Sequence, residues 1–492
     1  MQMEPCPSYR HELHCDLSAV ERSGPPHKLC EAYAEGPILG LLGLLAYLAI
    51  LTLYLTDGLL PQVQMLLTGG LTPIASGFKP ALFLLVLMSV IITRSFCMSS
   101  IAHATLMLLG ALCVDSAILL ATSRYQATDV FNSFRGSYIP IILCSLVLFA
   151  PLTLKQRDAL WLGAAVFTAC ICITTLQYAT DSSVLPTQSK DGTFQVQSFM
   201  FYVHARAFSL FTSGLEAGLF YCIPAAIGTT LLLMRRQWLI GGLLLLLSCF
   251  GSYATLTRLT MVGLSASVMS AIIFSNPRFA RIAKMLPLIW TLIALFALPI
   301  ALRDSVTSRS ADISSTESLG ERLREWRFYG ERYISSNPIE MLIGSGMSEY
   351  AESDVPNRYP SAAPIPIDNT FLQLLLQGGL LLLGVMIYYY IQAWRLLYRK
   401  ANSERSFICL AAAAVFSITP LVAAINDLPI PMFALFTIAM MIRPEPNGMH
   451  ATRSVMILAG PNWRTRPSRV TERMPPMDHE EQTVERAARY EG

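Results

Sequence analysis

Apolar residues run in blocks of roughly 17 to 25 positions along most of this chain, divided by short breaks that carry Pro, Gly or charge. Each block is long enough to cross a hydrocarbon core about 30 Å thick as an α-helix. The blocks predict spans at 37–56, 79–95, 99–121, 138–154, 159–180, 207–234, 238–256, 259–275, 285–302, 369–394, 405–426 and 429–442. The stretch 59–78 is interrupted by Pro61, Gly69, Gly70 and Pro73 and reads as a loop or re-entrant segment. The fold class expected is therefore all-α integral membrane, with about twelve transmembrane helices and one large, partly helical loop. Its parts are a tail at 1–36, helices one to nine at 37–302, the loop at 303–368, helices ten to twelve at 369–442 and a second tail at 443–492.

Charge sets the sidedness. Cytoplasmic loops are enriched in Lys and Arg. Arg94, Lys155 with Arg157, Arg235 with Arg236, Arg278 with Arg281 and Lys284, and Arg395 with Arg399 and Lys400 fall on alternate breaks, hence on one side. An even number of spans places both tails on that side too. The opposite side receives the segments around Tyr125, Lys190 and Arg258 and the loop 303–368. The first apolar block begins only near Pro37, behind an acid-containing tail, which does not match a cleavable signal peptide.

Composition agrees with the pattern: 53% of the 492 residues are hydrophobic and 14% charged, far from a water-soluble domain. The net charge of +3 gives no reason to expect nucleic acid. None of the eleven cysteines lies in a segment assigned to the outside, so a disulfide is not expected there. His11-Glu12-Leu13-His14-Cys15 is too cramped to supply a tetrahedral metal site alone, and no metal or cofactor is expected. The C-terminal tail, with Pro444, Pro446, Pro467, Pro475 and Pro476 among many charges, lacks an apolar face.

The loop 303–368 carries its own signals. Ser318-Leu319-Gly320-Glu321 fits a capping box and predicts a helix start. Leu319, Leu323, Trp326, Gly330 and Ile334 then share one helical face, and Asn337-Pro338 ends the run. Gly344-Ser345-Gly346 and a Pro-rich stretch follow, before Asp368-Asn369-Thr370-Phe371-Leu372 leads into the tenth span. Arg322 lies off the apolar face. Ionisable residues buried in a span, such as Asp115, or near its end, such as Glu216, are costly unless paired or facing a wet cavity.

In this order, Ser318, Arg322, Trp326, Asn337-Pro338, Gly344-Ser-Gly346, Asp368-Asn369-x-Phe-Leu and Gly378-Gly379 resemble the signature region of the bacterial O-antigen ligase and O-antigen polymerase superfamily. Thr257-Arg258 resembles the family's Ser/Thr-Arg step between two central spans, and Arg206-Ala207-Phe208 its Arg-bearing approach to an earlier one. The resemblance covers about residues 200–395. It implies a C-type glycosyltransferase of the bacterial inner membrane. Such an enzyme moves a glycan from an undecaprenyl-pyrophosphate carrier to an acceptor at the periplasmic face, without a metal. A chain-length regulator or other polysaccharide assembly protein is an implied partner, beside membrane lipid.

Pyrophosphate departs with growing negative charge, which suits fixed guanidinium groups: Arg206, Arg258 and Arg322 are the candidate clamps, with Asn369 as a further binding residue. The acceptor hydroxyl must lose a proton, for which Asp368 is the first candidate base and Glu216 the second. Asp368 also stands where it could simply cap the following helix. Ligases of the family usually place a His-Asn pair where this chain has Asp368-Asn369, so the polymerase branch is the first expectation and the ligase branch the alternative. A transporter or flippase is the rival from another class, but no internal repeat of the transporter kind is visible.

Overall fold

The structure is a computed structural model. It describes residues 100–121, 138, 141–142, 144–145, 148, 154–185, 200–201, 204–211, 213–235, 237–297, 326–345, 369–424 and 430–443. The expected spans 37–56 and 79–95, the stretch 59–78, the capping box at Ser318 and both tails lie outside the described residues. Contacts divide the chain into Met1–Pro444, which holds every described residue, and Glu445–Gly492.

The described residues are mostly helical: α1 (Ser100–Ala121), α2 (Gln156–Thr180), α3 (Gly214–Thr230), α4 (Trp238–Ala254), α5 (Arg258–Ser275) and α6 (Ala280–Leu292). After them come α7 (326–335), α8 (Pro338–Ile343), α9 (Thr370–Glu404), α10 (Phe407–Ser417), α11 (Thr419–Ala423) and α12 (Ile430–Met441). Four helices are long and apolar enough to cross a membrane singly: Ser100–Ile118, Gln156–Thr180, Gly214–Met234 and Thr370–Glu404. A fifth span arises if the bent pair Leu259–Ser275 and Pro277–Leu295 is one. This is a multi-pass membrane protein.

Lipid tails are as apolar as leucine, so close contact between small residues and hydroxyl hydrogen bonds, rather than exclusion from water, hold such helices together. The sequence supplies both. A Cβ on Gly228 of α3 would stand 2.7 Å from the Gly241 carbonyl of α4, and one on Gly241 equally close to the Gly228 carbonyl. Gly218 of α3 likewise admits the side chain of Thr260 from α5. Tyr221 lays its ring over Gly251 and shares a 2.6 Å hydrogen bond with Thr174 of α2. At the centre, every residue of α10 is buried, and its Ala411–Ala414 run lets neighbours approach on all sides. Ser417 donates to Ser270 of α5 at 3.3 Å, and Tyr390 of α9 to the Phe416 carbonyl at 3.1 Å.

Several of the basic breaks meet at one end of this bundle. Tyr398 of α9 donates to the Ala280 carbonyl at 3.0 Å and Trp394 to the Lys284 carbonyl at 3.3 Å. Lys400 donates to the carbonyls of Met440 and Ile442, both at 2.7 Å. A two-residue strand β1 (Leu154–Lys155) runs parallel to a second, β2 (Ile442–Arg443), with Leu154 opposite Ile442 and Lys155 opposite Arg443.

The structure corrects three expectations. The block at 207–234 is not helical from its start, because 206–211 forms a tucked turn and α3 begins at Gly214. The segment expected as a span at 285–302 bends by 101° from its predecessor, at Asn276-Pro277, where Pro277 begins a 3-10 turn capped by the Asn276 side chain. On α7 the buried residue is Tyr329, not the expected apolar face: Ile334 is 74% exposed and Gly330 faces open space. Tyr329 packs on Leu376, with Tyr333 and Leu372 beside them, and Tyr333 places its hydroxyl on the Met341 carbonyl at 2.6 Å. An aromatic body with a polar tip wins the contact over an aliphatic one that leaves the tip's acceptor unused.

Candidate functional site

Arg206, Glu216 and Arg258 are brought to one place by the packing of α2, α3, α4 and α5. Arg206 is half-buried, and the backbone on both sides of it is pinned. The Ala205 N–H donates to Asp181 Oδ1 at 2.8 Å, and the Ala207 N–H to the Ala254 carbonyl at 3.1 Å. Behind it, the buried Gln177 accepts from the N–H groups of Phe208 and Ser209 at 3.1 and 2.9 Å and donates to the Ser183 carbonyl at 2.8 Å. Ser209, at φ 54°, turns the chain sharply and donates from its hydroxyl to the Cys170 carbonyl at 3.0 Å. Burial pulls the Arg206 guanidinium below its ordinary pKa. The group stays charged at any physiological pH, because an arginine starts so high.

Ser213 caps α3 by accepting from the Glu216 N–H at 3.2 Å, which puts Glu216 in the first turn of that helix. Ser213 and Glu216 have the spacing of a capping box, and the carboxylate stands in the first turn of the helix, where negative charge is favoured. Gly214 packs beneath the next hairpin: a Cβ there would lie 3.2 Å from the Thr255 carbonyl and 3.5 Å from the Ala207 carbonyl and Thr257 Oγ1. In that hairpin Leu256 takes φ 50°, and buried hydroxyls knot the turn, with Thr255 3.2 Å from Thr260 and Thr257 donating to the Thr255 carbonyl at 3.0 Å. Arg258 is then the first residue of α5, preceded by Thr257, whose side chain makes no cap bond. The backbone N–H groups of that first turn and the arginine share one helix start, an arrangement that favours an anion. The course of the Arg258 side chain lies outside the described residues.

The second assembly joins the loop to α9. Gly379 breaks that helix with φ 63° and ψ −162°, a conformation reserved for glycine. The break releases the Leu376 carbonyl from its helical partner four residues on. Ser345 takes it up twice, from its N–H at 2.9 Å and its hydroxyl at 3.0 Å. Gly344, at φ 76°, lies against the backbone of Gln377 and Gly378, and a Cβ on Gly379 would stand 2.6 Å from the Gly344 nitrogen. The two glycine motifs of the sequence are the two halves of this joint. Tyr138 braces it from another segment by donating to Gln377 Oε1 at 3.1 Å, and the buried Asp115 of α1 lies within electrostatic range of that tyrosine.

Asn369 is the N-cap of α9, its Oδ1 accepting from the Leu372 N–H at 3.0 Å. The cap is thus Asn369, one residue later than the capping alternative weighed for Asp368. The Asn369 amide NH2 is the part of that side chain the cap does not use. Asp368 and Arg322 lie outside the described residues. A small apolar cleft of about 60 Å³, lined by Phe371, Leu374, Leu383, Met386, Pro420 and Phe433 among others, lies along α9 on both sides of its break. Among the described residues, no group of three or more His, Cys, Asp or Glu side chains is placed to hold a metal ion.

Gln177, Ser213 and the seat of Ser345 were not singled out from sequence. A lone Gln within an apolar block and a Ser three residues before Glu216 were the available signals.

The helices long enough to cross a membrane define a polytopic protein, in which the turn carrying Arg206 packs against the hairpin that leads into Arg258. Residues 243–387, which run from α4 through the loop to the middle of α9, match the model of a family described as O-antigen ligase. Over those residues the chain is similar to that family, in line with the resemblance carried by its glycine, Trp and Asn-Pro motifs. Among curated proteins, none matches the chain.

Proposed function

We propose that this protein is a polysaccharide polymerase. In this reading it joins oligosaccharide repeat units carried on undecaprenyl pyrophosphate, at the outer face of a bacterial inner membrane. It has about twelve spans, with both termini cytoplasmic and the loop 303–368 outside. The observation that carries the reading is the fixed placement of Arg206 beside the helix start at Arg258, within the neighbourhood of the family match. Positive groups held rigid before the reaction begins stabilise developing phosphate charge without reorganising, at about 2.7–4 kcal/mol per donor in well-studied oxyanion holes. Arg322 is assigned to the same clamp and Asn369 to glycan binding.

In the proposed step the acceptor hydroxyl attacks the anomeric carbon of the donor, the bond to the pyrophosphate oxygen breaks, and the lipid pyrophosphate leaves with that electron pair. Asp368 takes the hydroxyl proton, with Glu216 as the alternative base. No metal or cofactor takes part. The second reading, a ligase that hands a finished polymer to a lipid A core, is favoured by the match to a family described as O-antigen ligase.

Purified protein given a lipid-linked repeat unit should produce a ladder of polymers in the absence of any lipid A core acceptor. Transfer only when that acceptor is supplied would select the ligase reading. Arg258→Ala should lose at least about a hundredfold in rate, taking the lower end of that donor range. Arg258→Lys should lose most of it too, because it keeps the charge and lacks the planar fork. Asp368→Asn should be inactive. Wild-type polymer from Arg258→Ala would leave Arg258 as a membrane anchor and remove the clamp.

A further inference from the structure

The far end of the bundle, where α5 and α9 finish, has a composition that the glycosyl-transfer reading does not use. Arg278, Arg281 and Lys284 at the start of the bent segment, and Arg395 and Arg399 in the last turns of α9, are all exposed. Their helices are locked together beside them by the Tyr398 and Trp394 hydrogen bonds to the Ala280 and Lys284 carbonyls. Phe274, Trp394 and Tyr398 fill the seam, with ring centroids 5.9 to 6.4 Å apart. Among the described residues, no salt bridge pairs these cations with a carboxylate. The segment Pro277–Leu292 contains no acidic residue, and Glu404, the acid at the end of α9, is paired with Lys400 at 3.7 Å.

The apolar surface beside the cations is equally open. Ala283, Leu286 and Pro287 form the buried face of α6, while Ile282, Met285, Leu288 and Leu292 are 44, 52, 55 and 45% exposed on the outside. Water is a poor solvent for that face, and a chain with several membrane-crossing helices has lipid at hand to cover it. The bend of 101° turns this helix away from the line of α5, and its basic start and apolar flank are exposed together. Cations followed by exposed aliphatics, with Trp and Tyr in the seam, are the features that hold a segment at the headgroup level of an anionic leaflet.

We propose that Arg281 and Lys284 of α6 and Arg395 and Arg399 of α9 form a binding site for the headgroup of an anionic phospholipid, with its acyl chains along Ile282, Met285 and Leu288. Generic attraction of basic loops to a negative leaflet would treat every exposed cation at this end alike. A site would not. The test uses the full-length protein, delipidated in detergent and titrated with phosphatidylglycerol or phosphatidylethanolamine while bound lipid is counted by native mass spectrometry.

The wild type should retain phosphatidylglycerol in preference to the zwitterionic lipid. Neutralising Arg281→Gln with Lys284→Gln should weaken phosphatidylglycerol binding by about fivefold per cation, and adding Arg395→Gln with Arg399→Gln should weaken it further. Lys155→Gln with Arg157→Gln, at exposed positions beside β1, should leave it unchanged. The double variants change only exposed side chains, and an unaltered melting temperature confirms their fold. Equal retention of the two lipids by the wild type would overturn the site. So would equal loss in the Lys155 and Arg157 control, or displacement of the lipid by inorganic phosphate.

Discussion

Replacing Gly379 by alanine should pull the segment 338–345 off α9. At φ 63° and ψ −162° a residue with a Cβ is strained by about 1–3 kcal/mol. The added methyl also has nowhere to go, because it meets the Leu342 carbonyl and lies 2.6 Å from the Gly344 nitrogen. Relief requires either the loop or the break to move, and both movements surrender the two hydrogen bonds from Ser345 to Leu376, worth about 0.5–1.5 kcal/mol each. Whichever is given up, the joint should weaken by about 1 to 3 kcal/mol, and even the lower figure raises its opening equilibrium about fivefold. Hydrogen exchange measured by mass spectrometry on peptides covering 338–345 reads this directly. Gly384→Ala is the matched control, being in the same helix with nothing within 4 Å of an added Cβ. There alanine should be neutral or slightly stabilising. Equal protection of 338–345 in the two variants would refute the docking of the loop on the break.

Gln177→Leu should release the turn that presents Arg206: two backbone donors lose their acceptor at a cost of about 1–3 kcal/mol each, and exchange over 204–211 should rise while α10 stays protected. Unchanged exchange there would remove Gln177 as the support of that turn. Cysteines introduced at Ser353 and Ser403 test sidedness, since an impermeant reagent should label only the first in intact cells. Labelling of Ser403 instead would invert the topology and take the periplasmic mechanism with it.

The helical blocks were legible because a membrane span writes itself in composition. The blocks at 99–121, 159–180, 238–256 and 259–275 correspond to α1, α2, α4 and α5 within a few residues. Departures from the blocks were illegible for a common reason. Apolarity records the solvent a segment lives in and says nothing of whether its backbone stays helical, so 206–211, apolar enough to pass for the start of a span, is in fact a turn held by Gln177 from another helix. The face of α7 was misread because a tyrosine counts as polar in an apolar pattern, whereas its ring dominates the contact once an acceptor such as the Met341 carbonyl is within reach.

The glycine pairs show how motif and geometry differ as information. Gly344-Ser-Gly346 and Gly378-Gly379 stood out in the sequence as marks of a resemblance, with no physical reason for lying some thirty residues apart. The structure supplies one: a broken helix leaves a carbonyl unsatisfied inside a membrane protein, and a second backbone must come close enough to satisfy it. Only glycine on both sides allows that approach. The same joint limits how the proposed base can be tested. Asn369 caps α9 nearly three turns before the break, so a substitution at Asp368 leaves the cap intact, and a lost activity cannot be charged to a frayed helix start. If Asp368→Asn is inactive while 338–345 stays as protected as in the wild type, the loss belongs to the carboxylate. If protection falls with activity, the loop has moved, and Glu216 becomes the base to examine.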